Sequence, residues 1–266
     1  MASLRELANC IEAPASFSVL RDFFGFIQER VPADPADPTD PDWQQSRVSL
    51  LQRMQLLQGD YYNVNVIAVG WDNFTTNPTF GEMYDRADYA VYRSHEIYAQ
   101  RSIGVGRVRY WYITSEDADG LDILDNDAEL DELADQWSVD NDGIDVFIVF
   151  MMNMGGLLGR SDICGPCDGV ETDSDDELCD THNRDASVVN PRGAEDFNGN
   201  AGLGMARTFA HENGHYLGLR HPNNQASFPL RLMTQTGSAS SLRDSVELTN
   251  NEGNICRNHC SIQEGC

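Results

Sequence analysis

The pattern of apolar and polar positions changes character at about residue 60. Beyond that point, apolar residues alternate with a period of two in some segments and recur every three or four positions in others, as in strands and helices. Strands are predicted at 63–70, 106–114, 144–152 and 187–190, and helices at 79–97, 127–137 and from residue 202. This order is typical of an α/β (α+β) fold with a mixed, largely parallel twisted sheet.

The N-terminal residues 1–58 follow a different pattern. Apolar positions in 1–30 and 44–57 suggest helices, whereas residues 31–42 are rich in aspartate and carry prolines at positions 32, 35, 38 and 41. Proline at this density blocks helix and sheet and favours an extended linker. We therefore predict an N-terminal segment over 1–58 and a separate main domain over 59–266.

The chain is strongly acidic, which limits the kinds of molecule it is expected to bind. Its 266 residues include 43 acidic and 18 basic side chains, all of the latter arginine, for a net charge of −25. Phosphate groups would be repelled, so nucleic acid is not expected as a partner. No apolar run approaches the roughly 18 residues of a membrane span. Most of the acidic residues are expected on a solvated surface. Three acidic segments are candidates for calcium sites, but they are weak candidates, since none has the full spacing of a calcium loop: 117–120, 140–143 and 173–177.

The seven cysteines are clustered. Apart from Cys10, they lie in a central acidic loop or in the last 11 residues: Cys164, Cys167, Cys179, Cys256, Cys260 and Cys266. Such clustering favours local disulfides in an oxidising compartment. A structural second zinc site is the alternative for the central cluster, with the ligands Cys164, Cys167, Cys179 and His182. We expect a secreted protein, although the N-terminus shows no signal peptide.

The candidate chemistry lies in the helix predicted from residue 202, where the sequence reads A-H-E-N-G-H-Y-L-G-L-R-H from Ala210. His211 and His215 are four residues apart, so on a helix both imidazoles project from one face and can share a zinc ion. Glu212 lies beside that position, where its carboxylate can take a proton from a zinc-activated water.

A third ligand follows a glycine. Gly218 can end the helix and turn the chain, which would bring His221 to the same metal. Three protein ligands leave a fourth position for water, as in catalytic rather than structural zinc sites. Three of the six histidines fall within these 11 residues, which makes coincidence a poor explanation. His95, His182 and His259 lack such neighbours and are interpreted as surface or structural residues.

This stretch resembles the metzincin family of zinc metallopeptidases, whose pattern H-E-x-x-H-x-x-G-x-x-H it matches without a gap. Met233, twelve residues after His221, resembles the methionine of the metzincin Met-turn, which forms an apolar floor beneath the ligands. Two departures leave the subfamily open. Gln235 stands where some metzincins carry a tyrosine, and the cysteine pattern that follows the third histidine in archaeal-type metzincins is missing.

The resemblance implies a zinc-dependent endopeptidase acting on protein or peptide substrates. It further implies a metzincin-like fold over 59–266 with an active-site helix and a small irregular C-terminal subdomain. Residues 1–58 lie outside the resemblance and are a candidate pro-segment. By the same resemblance, the substrate would lie along a sheet edge, which we place at 155–163, with 234–237 forming part of a pocket wall. The alternatives are an inactive zinc-binding recognition module and a self-processing peptidase. We expect a monomer.

Overall fold

The structure is a computed structural model that describes residues 59–75, 80–163, 165, 167, 186–191, 201–237 and 239–264. The N-terminal segment 1–58, with its predicted helices and linker, lies outside the described residues. None of the helices in the described ranges is long and apolar enough to cross a membrane.

A six-stranded sheet forms the centre of the described fold, with strand order β2-β1-β4-β7-β6 and β8 beside β1. The β1–β2, β1–β4 and β4–β7 pairs are parallel, whereas β6 is antiparallel to β7 and β8 to β1. The predicted mixed α/β fold with a largely parallel sheet is therefore confirmed. The strands are β1 (Asp60–Val69), β2 (Ile103–Ile113), β3 (Ile123–Leu124), β4 (Gly143–Ile148), β5 (Met151–Met152), β6 (Gly159–Ser161), β7 (Ala186–Val189) and β8 (Ile262–Gln263).

Helices cover both faces of this sheet, because alternate residues of a strand point to opposite sides. In β1, Val64 and Val66 face a core shared with α1 and α4, whereas Ile67 and Val69 face a second core shared with α3. The helices are α1 (Phe80–Ala99), α2 (Ser115–Ala118), α3 (Asp127–Trp137), α4 (Ala201–Tyr216), α5 (Ala239–Arg243) and α6 (Asn250–Asn258). Short 3₁₀ turns cover Trp71–Asn73 and Gln225–Ser227.

One expectation about these elements is wrong. The predicted strand over 144–152 is broken, because β4 ends at Ile148 and β5 pairs with β3 in a separate two-stranded sheet. The backbone N–H of Met151 donates to Asp122 O at 3.1 Å, which directs the chain away from the main sheet. In the C-terminal part, α6 spans nine residues and begins at a capping box formed by Thr249 and Glu252.

Candidate metal centre

The active-site helix predicted from the sequence is α4, and it carries His211 and His215 one turn apart. Met205 and Phe209 on its inner face are fully buried in the core shared with α1. The hydroxyl of Tyr98 on α1 donates to Ala210 O at 2.9 Å, directly before the first histidine. Both histidines are therefore held on a helix that is fixed by packing and by a buried hydrogen bond.

Gly218 ends this helix in the way its sequence position suggested. Its φ is 95°, a left-handed conformation that glycine adopts readily. Its N–H donates to His215 O at 2.9 Å, and the N–H of Leu219 donates to Gly214 O at 2.8 Å. These two bonds are those of a Schellman motif, which reverses the chain after a helix. The reversal directs His221 back toward α4.

The three imidazoles converge on one point. The Nε2 atom of His221 lies 3.1 Å from Nε2 of His211 and 3.0 Å from Nε2 of His215. His211 and His215 are buried, and His221 is half-buried. Nitrogen ligands of a tetrahedral zinc at about 2.05 Å stand about 3.3 Å apart, so the spacing of these donor atoms fits a single zinc ion.

Backbone carbonyls fix the orientation of two of these rings. Nδ1 of His211 lies 2.7 Å from Leu232 O, and Nδ1 of His215 lies 2.7 Å from Leu219 O. In a neutral imidazole only one nitrogen carries a proton, so each Nδ1 donates to its carbonyl and each Nε2 presents a lone pair. If Nε2 of His221 carried a proton, that proton could form a hydrogen bond with only one of the other two Nε2 atoms. A cation bound between the rings would instead interact with the lone pairs of all three Nε2 atoms. Donation of the second ring nitrogen to a carbonyl is also usual for histidine metal ligands.

Burial keeps the three rings neutral in the absence of metal. It lowers the pKa of His215 to about 3, with a further contribution from His221. It lowers the pKa of His221 to about 4, and Arg207 adds to the effect. Burial and then Arg207 hold the pKa of His211 well below its ordinary value. Metal binding at neutral pH therefore need not displace protons from these rings.

The Glu212 carboxyl, proposed from the sequence as the base, is buried beside the histidine cluster, with 5% of its surface exposed. Burial raises its pKa to about 8, although the positive charges of Arg207 and Arg160 lower it. A carboxyl with a pKa near neutrality is suited both to accept and to return a proton.

Met233, the methionine for which the sequence suggested a Met-turn, lies against the same helix. It is fully buried, and a side chain at Gly214 would place its Cβ only 2.7 Å from Met233 Sδ. The adjoining Leu232 supplies the carbonyl that accepts from His211. The segment after α4 thus returns to contact α4 between its two histidines.

Sequence reasoning missed three residues that shape this centre. Arg207 is one helical turn before His211, and its guanidinium donates to the backbone on both sides of Met233. Gly159 of β6 touches the Glu212 carboxyl, and Gly214 leaves room for Met233. The four-residue spacing of Arg207, His211 and His215 was a readable signal, whereas the partners of the two glycines are distant in sequence.

The cysteines behave differently from the local pairing that their clustering suggested. Cys167 of the central loop forms a disulfide with Cys260 near the C-terminus, across 93 residues, so the local bridge expected for Cys167 is wrong. His259 is buried beside it, with Nδ1 3.4 Å from Cys167 Sγ. The other members of the alternative zinc set lie outside the described residues: Cys164, Cys179 and His182.

The structure gives the suggested calcium sites no support. Of the three acidic segments, 173–177 lies outside the described residues. In segment 140–143, the carboxylate of Asp142 is paired with Arg107 and also accepts from Asn63. In segment 117–120, Asp117 accepts from the hydroxyl of Thr114 at 2.7 Å. Within the described part of the chain, the two groups of potential metal ligands are the histidine triad and the Cys167, His259 and Cys260 cluster.

Comparison with known proteins gives a limited result. No protein-family model matches the sequence, and no curated protein matches it. Among solved structures, the chain is similar to archaemetzincin from Methanopyrus kandleri, with a TM-score of 0.45 and 14% sequence identity over 74% of this chain and 95% of that chain.

Proposed function

We propose that this chain is a zinc-dependent peptidase in which His211, His215 and His221 hold the metal and Glu212 is the catalytic base. The observation that carries the proposal is the convergence of three neutral imidazoles, two of them oriented by backbone carbonyls, next to a buried carboxyl. A structural zinc site would use four protein ligands, whereas three leave room for water.

The chemistry divides between metal and protein. Zinc held by these rings supplies a Lewis acid that activates a water molecule at neutral pH and polarises the peptide carbonyl. The Glu212 carboxylate accepts the proton of the attacking water and then delivers it to the leaving amine nitrogen. No covalent bond to the protein is required. Burial raises the pKa of Glu212 to about 8 in the metal-free protein. The positive charge of a bound zinc ion would lower this pKa and make the carboxylate available to accept the proton.

The sheet edge offers a place for the substrate backbone. β6 pairs with β7 and ends the strand order of the described sheet on this side. Gly159 in β6 contacts the Glu212 carboxyl, so a peptide added to this edge would pass close to the base. Addition of an extended peptide to an open strand is a common recognition mode. This supports 155–163 as the substrate-binding edge, while the pocket wall at 234–237 stays a prediction.

Glu212→Gln tests the proposed role of the base. The amide cannot accept the proton, so kcat for casein or a peptide library should fall on the order of 10²–10⁴-fold. Zinc content should stay at one ion per chain, because Glu212 is not a ligand. Glu247→Gln is the matched control, since Glu247 is exposed and makes its hydrogen bonds to Leu230 and Leu232 through the backbone. Undiminished peptidase activity in the Glu212 variant would remove the proposed role.

A zinc-binding module without activity is the second candidate. It is supported by the same histidine triad, but it gives no reason for a buried carboxyl beside the metal. Wild-type protein that binds zinc and cleaves none of the peptides in a library, with and without added chelator, would favour this candidate. The third candidate, a self-processing peptidase, predicts that the N-terminal segment is removed during storage with zinc and is retained in the Glu212→Gln variant.

A further inference from the structure

Arg207 occupies an unusual place for a charged side chain. It lies on α4 four residues before His211, on the face that carries both helical histidines, and only 5% of its surface is exposed. Among the described residues no carboxylate lies within ion-pair distance of it. Burying an unpaired charge is costly, so other groups must compensate it.

Backbone carbonyls provide that compensation. Nη2 of Arg207 donates to Leu232 O at 2.6 Å and to Thr234 O, the carbonyls directly before and after Met233. Nε lies 3.4 Å from Ser245 O, a weaker contact. All three acceptors belong to the segment that follows the zinc-binding motif, so one side chain of α4 holds the Met-turn against the helix.

One of these acceptors is shared with a proposed metal ligand. Leu232 O accepts from Nη2 of Arg207 and from Nδ1 of His211 at 2.7 Å. The position of this carbonyl therefore determines how the His211 ring is turned and where its Nε2 points. Displacement of the Met-turn would rotate the ring away from His215 and His221.

We propose that Arg207 is a positioning residue of the metal centre, which clamps the carbonyls on either side of Met233 and thereby orients the His211 imidazole toward the metal. This inference rests on the proposed function of the triad. Arginine suits the task because its rigid fork carries five donors, whereas the single ammonium of lysine cannot hold several carbonyls in a fixed geometry.

The test compares Arg207→Lys and Arg207→Met with the wild type in a zinc competition assay against a chelator, using protein that is folded by circular dichroism. Loss of a partner that orients a ligand weakens metal affinity on the order of 10–100-fold. We expect this loss for the methionine variant and a smaller loss for lysine. Arg243→Met is the matched control, since Arg243 is partly exposed and pairs with the neighbouring Asp244, and it should bind zinc like the wild type.

A readout on the metal-free protein separates positioning from mere stability. In the wild type, the nitrogen NMR shifts of His211 should show Nδ1 protonated and slow to exchange. In both Arg207 variants exchange of this proton should accelerate, even where the fold is retained. If the methionine variant does not fold, the lysine variant decides.

Two failures can be told apart. Zinc affinity and His211 exchange equal to those of the wild type in a folded Arg207 variant would overturn the positioning role. Absence of zinc binding in the wild type would instead overturn the proposed function.

Discussion

At the residue scale, the position of Glu212 depends on the lack of a side chain at Gly159. A Cβ at residue 159 would lie 2.6 Å from Oε1 and 2.7 Å from Cγ of Glu212, closer than real contacts allow. β6 and the proposed base can therefore come together only because residue 159 is glycine. Close approach of backbone to a functional group is a common use of glycine in strands.

Gly159→Ala should move the Glu212 carboxyl and leave the zinc ligands in place. A displacement on the order of 1 Å at a reacting group lowers rates about 100-fold, so we expect kcat to fall about 10–100-fold. Zinc content measured by elemental analysis should remain that of the wild type. Unchanged kcat would show that β6 yields to the added methyl group and that Glu212 is not confined there.

At the element scale, the contact between α4 and the segment around Met233 shapes the candidate metal centre. Gly214 lies between His211 and His215 in sequence. A Cβ added at Gly214 would lie 2.7 Å from Met233 Sδ and 3.3 Å from Tyr98 Oη, so the absence of a side chain leaves room for both groups. Glycine in a helix interior usually costs about 1 kcal/mol relative to alanine. At position 214, the close packing of Met233 against the bare backbone offsets that cost.

Gly214→Ala should accordingly have opposite effects in two backgrounds. In the wild type, overpacking against Met233 costs about 1–3 kcal/mol and exceeds the gain in helix propensity, so unfolding by urea should become easier. In a Met233→Ala background there is room for the added methyl group, so the same substitution should raise the free energy of unfolding by up to about 1 kcal/mol. Equal effects in both backgrounds would mean that the two residues are not coupled.

Sequence patterns predicted the longer helices and strands better than the short strands and the breaks between strands. The amphipathic period over 127–137 gave the bounds of α3 as the structure has them. β6 and β8 have only three and two residues, too few to establish a period of two. The break after Ile148 follows from hydrogen bonds to distant carbonyls, which no local pattern contains.

The same limit applies to the metal centre. Convergence of three histidines could be predicted because helix geometry and a glycine turn act within 11 residues. The clamp by Arg207 could not be predicted, since Leu232 O is 25 residues away and belongs to a backbone that any sequence would provide. Spacing identifies the candidate ligands, and only the fold shows which groups orient them.

At the scale of the whole molecule, one bridge joins distant parts of the chain. The Cys167–Cys260 disulfide closes a loop of 93 residues that contains α4 and the segment around Met233. Nearby, Tyr216 at the end of α4 packs against the ring of His259, with centroids 5.6 Å apart. The C-terminal segment is thereby attached next to the helix that carries the histidines.

Removal of this bridge should destabilise the protein substantially. In the chain-entropy model a loop of about 100 residues contributes about 4–5 kcal/mol, and measured losses are about 2–5 kcal/mol. Cys167→Ser and Cys260→Ser should each lower the free energy of unfolding by such an amount, and the double variant should lose little more than either single one. Additive losses in urea unfolding would show that the two cysteines act independently.

X-ray absorption at the zinc edge of the purified, zinc-loaded protein shows whether three imidazole nitrogens hold the zinc ion. We expect one zinc per chain with three histidine nitrogens at about 2.0–2.1 Å and a further light-atom ligand. A coordination shell dominated by sulfur at about 2.3 Å would place the metal at cysteines instead. Either that shell or the absence of zinc binding would contradict the proposed peptidase centre.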